Sequence, residues 1–140
     1  MYKKILIPLA LDQGHGHRAM ELARKIRAEG GEIIAVHVVD QVPRYAGYYM
    51  SANEDSNEAR EKEIEQNALK AIAERIGEEK DVEAVVLSGH AGRTITDYAQ
   101  KIGADCIIAG SHKPGMKDFF LGSTAARIMR YAPCSVHVLR

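Results

Sequence analysis

The chain is poor in cysteine, in net charge and in long apolar runs. Cys106 and Cys134 are its two cysteines, and they form no C-x-x-C pair. That removes the usual signature of a redox motif or a zinc site. Both lie in apolar, strand-like runs, so two buried thiols are expected and not a disulfide. Lys plus Arg is 19 and Asp plus Glu is 19, so the formal net charge is zero. A balanced chain has no broad positive field, which argues against nucleic acid or an anionic membrane as partner. A local basic site stays open. The N-terminal apolar run is broken at Pro8, too soon for a signal-peptide core, and no run approaches transmembrane length. A cytoplasmic location is expected. No internal repeat divides the 140 residues, so one domain over 1–140 is the expectation.

What is present is an alternation of apolar runs and amphipathic stretches. Lys4 to Leu11 is continuously apolar after its lysine, as in a strand buried on both faces. Pro8 has no N–H to give a ladder, so the regular strand should end near it. A polar, glycine-rich turn over Asp12 to His17 follows. Ala19, Leu22, Ala23 and Ile26 then recur at helical spacing, and Gly30-Gly31 after Ala28-Glu29 looks like the helix stop. Ile33 to Val39 makes a second buried strand.

Asp40 to Ser56 carries Pro43, Gly47 and three tyrosines and is expected to be a long loop. Ile64, Ala68, Leu69, Ile72 and Ile76 share one face of a helix from about Asn57, with Gly77 as its stop. Val82 to Leu87 is a third strand. Ile95, Tyr98, Ala99 and Ile102 mark the next helix, stopped by Gly103. Asp105 to Gly110 is a fourth strand, Gly122-Ser123-Thr124 opens a fourth helix, and Cys134 to Leu139 is a fifth strand. Strands alternating with helices predict a parallel α/β sheet with helices on both faces.

The chemistry concentrates between the fourth strand and the fourth helix. Strand, glycine loop and helix start, in that order, present backbone N–H groups and a helix dipole to an anion. Gly110, Gly115 and Gly122 free the backbone, and His112, Lys113 and Lys117 add positive or protonatable groups. On a parallel sheet, ligands sit at the carboxyl ends of the strands, where the strand order reverses. The turn after the first strand and this loop meet there if both strands are central.

These residues resemble the universal stress protein family over essentially the whole chain. The likeness rests on Lys3-Lys4-Ile5-Leu6-Ile7-Pro8, Val36-His37-Val38-Val39, Gly110-Ser111-His112, Leu121-Gly122-Ser123 and Ala132 to Leu139. The loop Ser111-His112-Lys113-Pro114 looks like the family's F/G type. The resemblance implies a single open five-stranded parallel sheet of order 3-2-1-4-5, Rossmann-like and similar to the adenine nucleotide alpha hydrolases. It further implies binding of ATP, AMP or ADP, with Mg2+ an option, and a homodimer through the C-terminal strand, Cys134 to Leu139.

The family motif G-x2-G-x9-G-(S/T) is matched at Gly110 and at Gly122-Ser123, while Lys113 stands at the middle glycine and the loop is one residue shorter. In the first-strand Pro-x-Asp, Pro8 and Leu9 are followed by Ala10, and Asp12 lies two residues later. Val38 matches the residue whose backbone contacts adenine. The implied site is therefore Pro8, Leu9, Ala10, Asp12, Val38, Gly110, Ser111, His112, Lys113, Gly122, Ser123 and Thr124.

Each feature has a plainer reading. The glycine loop is also an ordinary β–α connection with Ser123 as a helix cap. Gly14-His15-Gly16-His17 falls short of the H-x-G-H of nucleotidyltransferases, because its first position is glycine. His37 and His137, mid-strand between valines, are expected to be hydrogen-bonded core or interface residues. Three functions follow. They are a dimeric nucleotide-binding regulatory module with little or no catalysis, a dimeric stress scaffold without nucleotide, and an adenylyl-transferring enzyme. The strand and helix context together with the resemblance favour the first, Ala10 and Lys113 count toward the second as the alternative, and the incomplete H-x-G-H disfavours the third.

Overall fold

The computed structural model describes residues 1–10, 16–39, 54–77, 79–111 and 121–140. Its elements are β1 (Tyr2–Pro8), α1 (Gly16–Ile26), β2 (Arg27–Val39), α2 (Glu54–Ile76), β3 (Val82–Ser88), α3 (Ala91–Ile102), β4 (Cys106–Gly110), α4 (Ser123–Tyr131) and β5 (Ser135–Leu139). All the strand pairs are parallel, in the order β3-β2-β1-β4-β5. The expected α/β architecture and strand order are what the chain adopts.

The continuous apolar runs are explained by burial on both faces. Ile5, Ile7, Ile33, Ala35, Cys106 and Ile108 pack to one side with Ala19, Met20 and Ala23 of α1 and Ile72 and Ile76 of α2. Leu6, Ile34, Val36, Ile107 and Ala109 pack to the other with Ile95 and Ala99 of α3 and Ile128 of α4. Side chains alternate between faces along a strand, so Ile5-Leu6-Ile7 serves both cores in turn. Truncating one of these fully enclosed residues, such as Ile107→Ala, is expected to cost about 2–5 kcal/mol.

Element ends follow local chemistry. Gly103 takes φ 68 and closes α3 with its N–H on Ala99 and Gln100 carbonyls, a left-handed stop that a residue with a Cβ reaches only at a cost. The first helix departs from expectation. It ends at Ile26, before Gly30-Gly31, and β2 is already under way at Arg27. The β1–β2 register jumps from Tyr2↔Arg27 to Lys4↔Glu32. Two steps on β1 thus face five on β2, and the surplus is absorbed where Gly30 turns at φ 73. The glycine sits within the register shift inside the strand and does not stop the helix. The long helix begins at Glu54, inside the stretch expected to be loop; 40–53 lie outside the described residues, Tyr45, Tyr48 and Tyr49 among them.

Two polar ties hold the amino edge of the sheet. Asp105 accepts the backbone N–H groups of Lys3 and Lys4, each at 2.8 Å. Arg24 pairs with Glu79 and Asp81, and Arg27 reaches Asp81 at 3.2 Å. Cys106 is buried, Cys134 is only half-buried, and both are free thiols. Among the described residues no helix is long and apolar enough to cross a membrane.

Candidate functional site

The strand order places β1 and β4 side by side, and their outward connections run in opposite directions. That is the position where a parallel sheet opens a crevice at its carboxyl edge. A shallow, open cleft lies there, lined by Pro8, Leu9, Ala10, Gly16, Ala19, Ile108 and Gly110. Its walls are small or apolar. Gly16 opens α1 directly against β1: a Cβ on it would stand 2.9 Å from Leu9 Cδ2.

One side of the cleft is shaped by how β1 leaves the sheet. Leu9 donates its N–H to the Val36 carbonyl at 2.7 Å. Its own carbonyl is met by the imidazole of His37, with Nδ1 at 2.8 Å. A carbonyl only accepts, so Nδ1 carries the proton. Val36 therefore turns its backbone groups toward β1, and so does Val38 two residues on. The intervening pattern agrees, because Val39 accepts from Gly89 on the β3 side at 3.0 Å. Among the described residues no backbone group pairs with Val38 on the side that β1 has left.

On the β4 side, Ser111 follows the cleft residue Gly110 and is tied to the start of α4. Ser111, 3% exposed, donates its N–H to the Leu139 carbonyl at 2.8 Å and accepts the N–H of Gly122 at 2.6 Å. Gly122 is the N-cap and no side chain caps the helix. Ser123 is thus the first helical residue and not the cap. Ala126 makes the first intrahelical bond, to Gly122, so the N–H groups of Ser123, Thr124 and Ala125 have no partner within α4. Ser123 and Thr124 are exposed. The dipole of the helix adds partial positive charge at the same place.

Of the expected site residues, Pro8, Leu9, Ala10 and Gly110 meet in the cleft. Val38 is on β2, the strand next to β1, while Ser111 follows Gly110 and bonds Gly122 at the start of α4, where Ser123 and Thr124 are the first helical residues. Asp12, His112 and Lys113 lie outside the described residues. Gly122 differs from expectation in one respect, because its N–H is already committed to Ser111. Gly16, Ala19 and Ile108 were not expected in the site. The glycine-rich turn after β1 was their only sequence signal. His17 is exposed and pairs with Glu21 at 3.3 Å. Among the described residues no group of three or more His, Cys, Asp or Glu is placed to hold a metal ion.

The profile of the universal stress protein family matches residues 1–140. The chain belongs to the universal stress protein family. Universal stress protein A homolog 2 of Coxiella burnetii is 30% identical, over 99% of this chain and 95% of its own length. The solved structure of hypothetical protein MJ0577 is 26% identical with a TM-score of 0.73, covering 99% of this chain and 96% of that one. Two solved universal stress proteins share the fold at lower identity. One, in complex with cAMP, is 20% identical with a TM-score of 0.59, covering 99% of this chain and 97% of that one. The other, from Archaeoglobus fulgidus in complex with dAMP, is 22% identical with a TM-score of 0.58, covering 99% and 98%.

Proposed function

We propose that this universal stress protein is a homodimeric regulatory module that holds ATP or a related adenine nucleotide and turns it over slowly or not at all. The observation that carries the reading is the outward-facing backbone of Val38. An N–H and a C=O side by side offer adenine one donor and one acceptor, matching its ring nitrogen and amino group. β4 lies two inter-strand spacings from β2, roughly 10 Å, and the helix that follows it opens with the N–H groups of Ser123 and Thr124, which suit phosphate oxygens. Between them the cleft is lined by Ala10 and Gly110, residues too small to obstruct a sugar lying across its open mouth. The fold neighbours in complex with cAMP and dAMP support the same ligand class.

The homodimer reading rests on β5. It is an edge strand, paired only with β4 among the described residues, and its Val136 and Val138 are half-buried. An edge of this kind invites a second copy.

The test is direct. Protein purified without added nucleotide is denatured, and the supernatant is assayed by mass spectrometry; ATP is then titrated calorimetrically into stripped protein. Retained adenine nucleotide, or saturable binding below the millimolar range, supports the proposal. Neither result would leave the dimeric scaffold without nucleotide, which Ala10 at the aspartate position favours. Sedimentation analysis decides the dimer separately.

A further inference from the structure

We propose that His37 is the positioning residue of this site: its imidazole replaces a missing rung of the sheet and so keeps the backbone of Val38 open to a ligand. In a parallel ladder, a residue whose N–H bonds to one carbonyl sends its own carbonyl to the N–H two residues further along the partner. Leu9 bonds its N–H to Val36. Its carbonyl belongs, by that rule, to the N–H of Val38. The side chain of His37 takes it instead, at 2.8 Å. The side chain of one residue thus does what the backbone of the next would do.

Two consequences follow from that substitution. The Leu9 carbonyl, in a residue only 5% exposed, stays hydrogen-bonded as β1 turns away, so no buried acceptor is orphaned. The N–H and C=O of Val38 keep the side that β1 vacated. A strand without a donor at His37 has a different lowest-energy choice. The Leu9 carbonyl closes onto Val38, the ladder extends by one rung, and the ligand edge is consumed.

The geometry names the conservative replacement. Asparagine carries its amide nitrogen on Cγ, where histidine carries Nδ1, so His37→Asn keeps a donor in the same place. His37→Leu keeps a similar bulk and removes it.

The effect on affinity rests on the nucleotide reading above, whereas the effect on the sheet does not, and the experiment separates them. In the wild type, nitrogen-15 correlation spectra are expected to show the His37 proton on Nδ1, and the Val38 amide is expected to exchange fast beside protected Val36. In His37→Leu, Val38 becomes protected and ATP binding weakens about tenfold. In His37→Asn, exchange and affinity stay near wild type. A His37 proton confined to Nε2, a Val38 amide protected in the wild type, or equal losses in the Asn and Leu variants overturns the inference. If His37→Leu fails to fold, the wild-type spectra and the Asn variant still decide. A wild type that shows the expected spectra but binds no ATP overturns the nucleotide reading and leaves the role of His37 standing.

Discussion

Gly122 donates its N–H to the carbonyl of Ser111 at 2.6 Å, which ties the residue before α4 to the residue that follows β4. Ser111 in turn bonds Leu139. The start of α4 is therefore anchored through the backbone, independently of any side-chain cap.

That anchoring makes Gly122→Val informative. Valine keeps the N–H, and Gly122 at φ −59 and ψ 150 is in a conformation open to any L-residue. The fold is expected to survive, with circular dichroism unchanged. The added methyl groups crowd the N–H groups of Ser123 and Thr124, and ATP affinity falls beyond the millimolar range. Unchanged ATP titration would place the phosphates elsewhere.

Ala10 offers a gain rather than a loss. It lines the cleft between β1 and β4, at the position where the family pattern has aspartate. Ala10→Asp introduces a carboxylate able to accept from ribose hydroxyls. Charge-assisted bonds contribute about 1.5–3 kcal/mol, so affinity for adenosine nucleotides should rise by roughly tenfold or more. Tightening of ATP but not of free triphosphate is the calorimetric signature; equal change in both would put the ribose away from β1.

Gly92 is the contact point of α3 and α4. A Cβ there would stand 2.7 Å from Arg127 Cδ and 3.0 Å from its Cβ. The second distance is the decisive one, because a Cβ cannot swing aside without moving α4. Gly92→Ala should destabilise the protein by about 1–3 kcal/mol, measured as a shift of the urea midpoint with unchanged slope. Since α4 carries the N–H groups of the site, ATP affinity should drop in parallel. A midpoint within error of wild type would mean the two helices separate freely.

Asp105 sets the acid limit of one edge. Desolvation pushes its carboxyl up, but the N–H groups of Lys3 and Lys4 and nearby positive charge together bring it below the ordinary value. A carboxylate depressed in the folded state stabilises above its unfolded value, about 3.9, and that stabilisation is lost as pH falls through the lower folded value. Asp105→Asn should therefore cost about 1–2 kcal/mol at pH 7, and the gap to wild type should narrow below about pH 4. Urea unfolding at pH 7 and pH 3 measures both; a constant gap would assign the loss to packing instead of charge.

Much of this molecule is legible in its sequence because parallel strands buried on two faces must be apolar at consecutive positions. Ile5-Leu6-Ile7 and Ile107-Ile108-Ala109 announce themselves in that way, and Gly77 and Gly103 end their helices where expected. Legibility fails where a bond joins residues distant in the chain. Gly30 looks like a helix stop because the register jump opposite Tyr2 and Lys4 is invisible locally. The commitment of the Gly122 N–H depends on Ser111, and the role of His37 depends on Leu9, 28 residues earlier. A hydrogen-bonded histidine was a sound expectation for His37; its partner was not readable. His137 instead sets its ring edge-on to Tyr2, with centroids 5.9 Å apart.

The central place of β1 has a consequence for how the chain comes to be folded. Its partners on the far side, Cys106 and Ile107, are made about a hundred residues after it. During synthesis, which runs from the N-terminus at about 5–20 residues per second, one flank of Ile5-Leu6-Ile7 waits uncovered for several seconds. Over that interval the strand is a template for any passing β segment. The ribosome-bound chain, rather than the finished protein, is where this sequence is most exposed to mispairing and most in need of a chaperone.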